Sequence, residues 1–236
     1  MNLLIFENDS LHNNKLTVGA YQHAHIVNTL KSKVGDVLKV GALNGKIGSA
    51  KILQINAESS VLEIQTLDSD PPPCLNLSLI VALPRPQMIK RILQSVATLG
   101  VHTVYFIQSS RVEKSYWQSP VLEKNEIHRQ LLLGLEQGSA TQYPRIELHQ
   151  RFIPFMHDIL PNRVAQARCF IAEPGPHSSL STVTKGKQNI VAIGPEGGFI
   201  DKEIALFKER GFTSVSLGNR ILKVETAVVA SASAFI

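Results

Sequence analysis

Two hydrophobic periods divide the chain. Up to residue 70 the apolar positions come in short runs: "LLIF" (3–6), "DVLKVGA" (36–42), "KIGSAKILQI" (46–55) and "VLEIQTL" (61–67). Runs of this length, rich in β-branched residues, predict strands. Asn44-Gly45, between the second and third, is a type I′ hairpin signal. "HAHIVNTLKSK" (23–33) predicts one helix. Several short strands in so small a segment predict a small β-barrel. Pro71, Pro72 and Pro73 then form a stiff break, because proline continues neither a helix interior nor a strand ladder. The expected domains are therefore 1–70 and 74–236.

Beyond the prolines the period changes. "LNLSLIVAL" (75–83) predicts a buried strand, and "VHTVYFIQ" (101–108), "RCFIAEP" (168–174), "NIVAIG" (189–194) and "SVSLG" (214–218) predict four more. Between them lie helical stretches. Met88, Ile89, Ile92, Leu93, Val96 and Leu99 share one face, with Gly100 as a stop. Segment 122–140 places Ile127, Leu131, Leu132 and Leu135 on a face, 201–211 ends at Gly211, and 222–236 is the last helix. Strands alternating with helices predict a parallel α/β sheet.

Ligands of such sheets bind beyond the carboxyl ends of the strands. Three glycine-bearing loops leave those ends: "AEPGPH" (172–177), "GPEGG" (194–198) and "LGNRIL" (217–222). Glycine permits close backbone approach, so these loops read as a ligand cradle, although "GPEGG" by itself is equally a tight strand-to-helix turn. Neither a P-loop nor GxGxxG spacing is present. Glu196 either accepts from the N–H groups of its own loop or contacts the ligand.

Charge and composition narrow the class. The formal net charge of +5 leans toward an anionic partner, nucleic acid first, with an ordinary basic enzyme as the alternative. No apolar run approaches the roughly 18 residues of a membrane helix, and "MNLLIFENDS" is no signal peptide. Cys74 and Cys169 lack motif spacing and no Cys/His set suits zinc, so no metal is expected and the chain reads as cytoplasmic.

"GPEGG" followed some twenty residues later by "LGNRILKVETA" (217–227) resembles the RsmE family of ribosomal RNA small-subunit methyltransferases, in the SPOUT superfamily. The family pattern is GPEGG, a helix, then LG-x-R-[IV]-L-[RK]-x-ETA, and every element is present here. Looser matches are "HAHIVNTLKSKVGD", "LQSVATLGV" and "LEQGSA". Thr98, Ala140, Lys31 and Ile200 depart from the family's Glu, Arg, Arg and Ser, and Asp201 is the expected helix cap in place of Ile200.

The resemblance implies a PUA-like RNA-binding barrel at 1–70. It implies a SPOUT α/β domain at 74–236 with a deep trefoil knot, which binds S-adenosylmethionine and forms a homodimer. The implied reaction is methylation of N3 of a uridine in 16S ribosomal RNA, within the 30S particle. On this reading the cofactor meets Ala172, Glu173 and Pro174; Ile193, Gly194, Pro195, Glu196, Gly197 and Gly198; and Leu217, Gly218, Asn219, Ile221 and Leu222. Arg220 is the candidate cation that stabilises the uracil anion, and Glu225 the weaker candidate base. Glu225 and Thr226 are read equally as helix-start residues and as groups orienting the base. Lys31, Lys33, Arg85, Lys90 and Arg111 are candidate phosphate contacts, or else solvated charges. Two alternatives stay open: the same machinery on a different RNA, motivated by the departures, and a non-catalytic RNA-binding assembly factor.

Overall fold

A computed structural model of the chain describes residues 2–182 and 187–236. The chain forms two compact units. The first comprises Met1–Pro73 with Leu132–Tyr143, and the second Cys74–Leu131 with Pro144–Ile236.

The first unit carries β1 (Leu4–Phe6), β2 (Leu11–His12), β3 (Lys15–Val18), α1 (Ala20–Ala24), β4 (Val37–Ala42), β5 (Ile47–Ile55) and β6 (Ser60–Ser69). The strands make one sheet in the order β1-β4-β5-β6-β3-β2, antiparallel except for β1 beside β4. Leu4, Phe6, Leu16, Val18, Ile26, Val40, Ile52 and Leu62 form its core. β3 shows how the alternation works: Leu16 and Val18 are buried and Lys15 and Thr17 exposed. The helix expected at 23–33 begins earlier, at Ala20, and passes into a π-helical stretch, His25–Leu30. Lys31 ends it with a left-handed φ of 54°.

One turn is unanticipated and one expected turn changes. Asn13 and Asn14, with φ of 49° and 60°, make the two-residue connection between β2 and β3. The hairpin joining β4 to β5 does form, but only Asn44 is left-handed there, so it is no type I′ turn. Tertiary bonds shape it instead. Asn44 N–H donates to the Thr141 carbonyl at 2.8 Å, and Asn44 Oδ1 accepts from Tyr143 N–H at 2.8 Å.

The second unit is a mixed α/β fold on a parallel sheet. Its strands are β7 (Leu75–Ala82), β8 (Val101–Ile107), β9 (Arg145–His149), β10 (Arg168–Ala172), β11 (Asn189–Ile193) and β12 (Thr213–Val215), ordered β12-β10-β11-β7-β8-β9. All neighbours are parallel. β11 is buried along its whole length, which explains its unbroken apolar run. Edge strand β9 has no counterpart among the expected elements, because "RIELH" is only partly buried and carries no strong period.

The helices are α2 (Pro86–Leu99), α3 (Lys124–Gly138), the short α4 (Phe152–Pro154) and α5 (Pro161–Val164), α6 (Asp201–Glu209) and α7 (Val224–Ser233). α2 starts with Pro86 in its first turn, buries Ile89, Ile92, Leu93 and Val96, and stops at Gly100 with φ 75°. The boundary between the units falls inside α3, at Leu131/Leu132. Phe207 of α6 packs against Phe199 and Phe212 at ring-centroid distances of 5.1 and 5.0 Å, fixing α6 beneath the loop that precedes it.

Candidate cofactor cleft

The segments after β10, β11 and β12 meet at the carboxyl edge of the second unit's sheet. They enclose an open cleft of about 110 Å³. Ala172, Glu173 and Pro174 supply one wall. Ile193, Gly194, Pro195, Glu196 and Gly198 supply the second, and Leu217, Gly218, Arg220, Ile221 and Leu222 the third. Val224 and Ala227, from the start of α7, complete the lining. Ala227 is not among the cofactor contacts that the resemblance implies. Its spacing of three from Val224, directly after the third loop, was the available signal.

The glycines have different causes. A Cβ on Gly194 would stand 2.9 Å from Phe199 N, against the backbone of its own loop. Gly198 has φ 73° and open space around a would-be Cβ, so there the requirement is conformational. Gly198 N–H donates to the Pro195 carbonyl at 2.8 Å, closing the turn. Gly218 also has a positive φ, 119°. Gly194 and Gly198 thus serve the tight turn expected of "GPEGG", and that turn lines the cleft.

Glu196 departs from the first of its two expected roles. Its carboxylate does not cap its own loop; Oε1 lies 3.5 Å from Arg85 N and 4.0 Å from Arg85 Nε. The cap expected of Asp201 is likewise supplied otherwise. Asp201 is already inside α6, and Glu203 Oε2 accepts from Ile200 N–H at 3.0 Å. Glu203 sits one turn deeper, where its carboxylate can reach back to the helix entry.

Arg220 is exposed, lines the cleft and forms no ion pair among the described residues. Asn219 lies with Pro174, Gly175, Gly218, Arg220 and Ile221 around an adjoining hollow. Glu225 and Thr226 follow Val224 in the first turn of α7, and neither lines the cleft. Lys223, not Thr226, occupies the N-cap position, without a side-chain cap.

The candidate phosphate contacts are scattered. Lys31 and Lys33 belong to the first unit, where Lys33 N–H donates to Asp36 Oδ2 at 2.7 Å. Lys90 pairs with Glu126 at 3.0 Å, and Arg129 pairs with the same carboxylate at 2.9 Å. Hydrogen bonds from Arg129, Lys90 and Gln130 pull the Glu126 carboxyl down to about 2. Arg85 faces Glu196, and Arg111 Nη1 donates to the Gly197 carbonyl. Burial raises the Cys169 thiol to about 11, so it behaves as a small hydrophobe, and no three-residue metal-ligand group exists among the described residues.

A parallel sheet with a glycine-walled cleft beyond its strand ends is the arrangement in which open α/β proteins hold small ligands. The family described as an RNA methyltransferase domain matches residues 70–236, and the chain belongs to it. A relative named ribosomal RNA small subunit methyltransferase E, from Treponema pallidum, is 28% identical over 98% of this chain and 89% of its own length. One of the same name from Bacillus subtilis is 24% identical over 89% and 85%. The resemblance carried by "GPEGG" and "LGNRILKVETA" is thus borne out.

Solved structures share the fold. A Legionella pneumophila protein in complex with bound SAM superposes with a TM-score of 0.81, at 20% identity, over 99% of this chain and 96% of that one. Ribosomal RNA small subunit methyltransferase E from Neisseria gonorrhoeae, bound to S-adenosyl methionine, gives 0.76, at 20% identity, over 98% and 96%.

Proposed function

We propose that the chain transfers a methyl group from S-adenosylmethionine to N3 of a uridine in small-subunit ribosomal RNA. The observation that carries this is the convergence of all three C-terminal loops on one cleft, in a member of the RNA methyltransferase family. The lining suits the cofactor. Ile193, Leu217, Leu222, Val224 and Ala227 offer an apolar surface for an adenine ring, and the glycine loops offer backbone groups for its polar edges. The bound cofactor would supply an electrophilic methyl carbon on a sulfonium.

The chain's own residues supply position and charge. The turn closed by Gly198 and Pro195 holds the second wall in one shape. Uracil N3 carries a proton and attacks poorly until that proton leaves. Arg220, exposed at the cleft mouth, stabilises the resulting anion, and Glu225 is the weaker candidate to accept the proton. Thr226, beside it, helps orient the base. Because pairing hides N3, the target base is single-stranded or flipped out.

The same reading gives each unit a task. Residues 1–70 form a PUA-like barrel that binds RNA through Lys31 and Lys33, and 74–236 form a SPOUT domain that binds cofactor and dimerises. A trefoil knot is supported by the strand order: β11 lies between the earlier strands β7 and β10, and α7 returns from β12 at the sheet edge to pack on α2 and β11. The substrate is the assembled 30S particle and the compartment the cytoplasm. No helix among the described residues is long and apolar enough to cross a membrane.

The test is twofold. Calorimetry with S-adenosylmethionine should show one site per chain, and ribosomal RNA from a gene-deletion strain should lack one N3-methyluridine that the restored gene returns. An unchanged methylation pattern would overturn the substrate assignment.

A further inference from the structure

Gly197 has no conformational reason to be glycine, since its φ is not in the left-handed region. Its reason is a neighbour. A Cβ at Gly197 would stand 3.0 Å from Arg111 Cδ and 3.8 Å from Arg111 Nε and Nη1. The Arg111 side chain therefore lies across the crest of the second loop, and its Nη1 donates to the Gly197 carbonyl. One residue earlier, Glu196 faces Arg85. Two arginines, from the segments after β7 and β8, thus contact the loop that lines the cleft, and neither is itself a lining residue.

We propose that Arg111 is a positioning residue for the cofactor loop rather than a phosphate contact. A charge-assisted bond to the Gly197 carbonyl fixes the orientation of the peptide joining Gly197 to Gly198. Gly198 N–H is thereby kept on the Pro195 carbonyl, and the left-handed Gly198 stays in the shape that borders the cleft. The small residue at 197 and the arginine at 111 form one device: the first leaves room for the second. This inference rests on the reading of the cleft as an S-adenosylmethionine site.

The test is a double-mutant cycle on the full-length protein, read by calorimetry with S-adenosylmethionine and by the salt dependence of RNA binding. Arg111→Ala should weaken cofactor binding about five- to tenfold, the scale of one ordinary net hydrogen bond, because the arginine is exposed. Gly197→Ala, whose methyl would stand 3.0 Å from Arg111 Cδ and crowd the arginine off its bond, should weaken it by at most a similar factor. The double variant should be no worse than either single, because both remove the same contact. Arg111→Lys, which can still donate, should recover part of the loss, and Arg111→Met, of similar length without a donor, should not. The slope of RNA affinity against salt should be unchanged in all of them, whereas a lost phosphate contact lowers it by about one ion. Additive losses, rescue by Met equal to that by Lys, or a shallower salt slope with wild-type cofactor affinity would each overturn the proposal. Wild-type protein that binds no S-adenosylmethionine overturns the cofactor reading, and this one with it. Binding by wild type that Arg111→Ala leaves unchanged overturns this one alone.

Discussion

Glu203 Oε1 accepts a hydrogen bond from Ser110 N–H at 2.7 Å, tying α6 to the segment that follows β8. Its second oxygen takes Ile200 N–H at 3.0 Å, and the residue is 4% exposed. One buried carboxylate thus anchors both the entry of α6 and the stretch that carries Arg111. Glu203→Ala leaves two N–H groups without that acceptor and should cost about 2–3 kcal/mol. For a chain of this size that lowers the Tm by roughly 4–12 °C. Thermal unfolding checks it, and a fall below about 1 °C would mean the anchor is dispensable.

Glu136 predicts a pH effect of the opposite kind from a surface ion pair. It is buried in the first unit, where Oε1 accepts from Gln22 Nε2 at 3.0 Å. Burial raises its carboxyl above the ordinary range, with the Gln22 bond opposing. A raised carboxyl holds its proton longer in the folded state. Stability is therefore lost as pH rises from the unfolded value through the folded one. Glu136→Gln keeps an acceptor and removes the charge, so it should raise the Tm at pH 8 more than at pH 4. An equal shift at both values would show that Glu136 ionises without penalty.

Much of this was legible from periodicity. The apolar runs at 75–83 and 189–194 and the helical face at Met88 to Leu99 announce burial directly, and they became β7, β11 and α2. The three glycine loops were legible because strand ends and glycine coincide in sequence. What could not be read depends on partners far along the chain. Asn44 takes its shape from Thr141 and Tyr143, Glu196 turns to Arg85, and Glu203 rather than Asp201 closes the start of α6. β2, β3 and β9 are short or half-exposed, so their two-residue period is too brief to stand out.

Gly198 is the sharpest point of the cleft wall, because its φ of 73° disfavours any side chain while the space around it stays open. Gly198→Val should cost about 1–3 kcal/mol as backbone strain or flip the turn. S-adenosylmethionine affinity should then fall more than tenfold while far-UV circular dichroism stays native. Retained affinity would show that the second loop does not touch the cofactor.

Exposed Val229 on α7 and Ile236 beyond it, with Ile221 87% exposed at the cleft mouth, leave apolar surface near the C-terminus. A homodimer built from the second unit would cover such residues. Light scattering at micromolar concentration should report twice the chain mass, and Val229→Glu should shift the population toward monomer. A monomeric wild type would remove the dimer from the mechanism.

Arg220 leaves the third loop, exposed, among Gly218, Ile221 and Leu222 on the cleft lining. No carboxylate among the described residues engages it, so its charge is available to a ligand. A guanidinium there favours loss of the N3 proton by stabilising negative charge on the uracil, or it holds the adjacent phosphate. Both roles vanish in Arg220→Ala. Losing one preorganised charge contact should slow methyl transfer by about 10²–10³-fold. Cofactor affinity should change little, because the cleft is built mainly of backbone and apolar side chains. Single-turnover methylation of small-subunit particles, run beside calorimetry, separates the two quantities. Arg220→Lys keeps charge without the planar fork and should fall between. Transfer at the wild-type rate in Arg220→Ala would make Arg220 a surface residue and end its catalytic assignment.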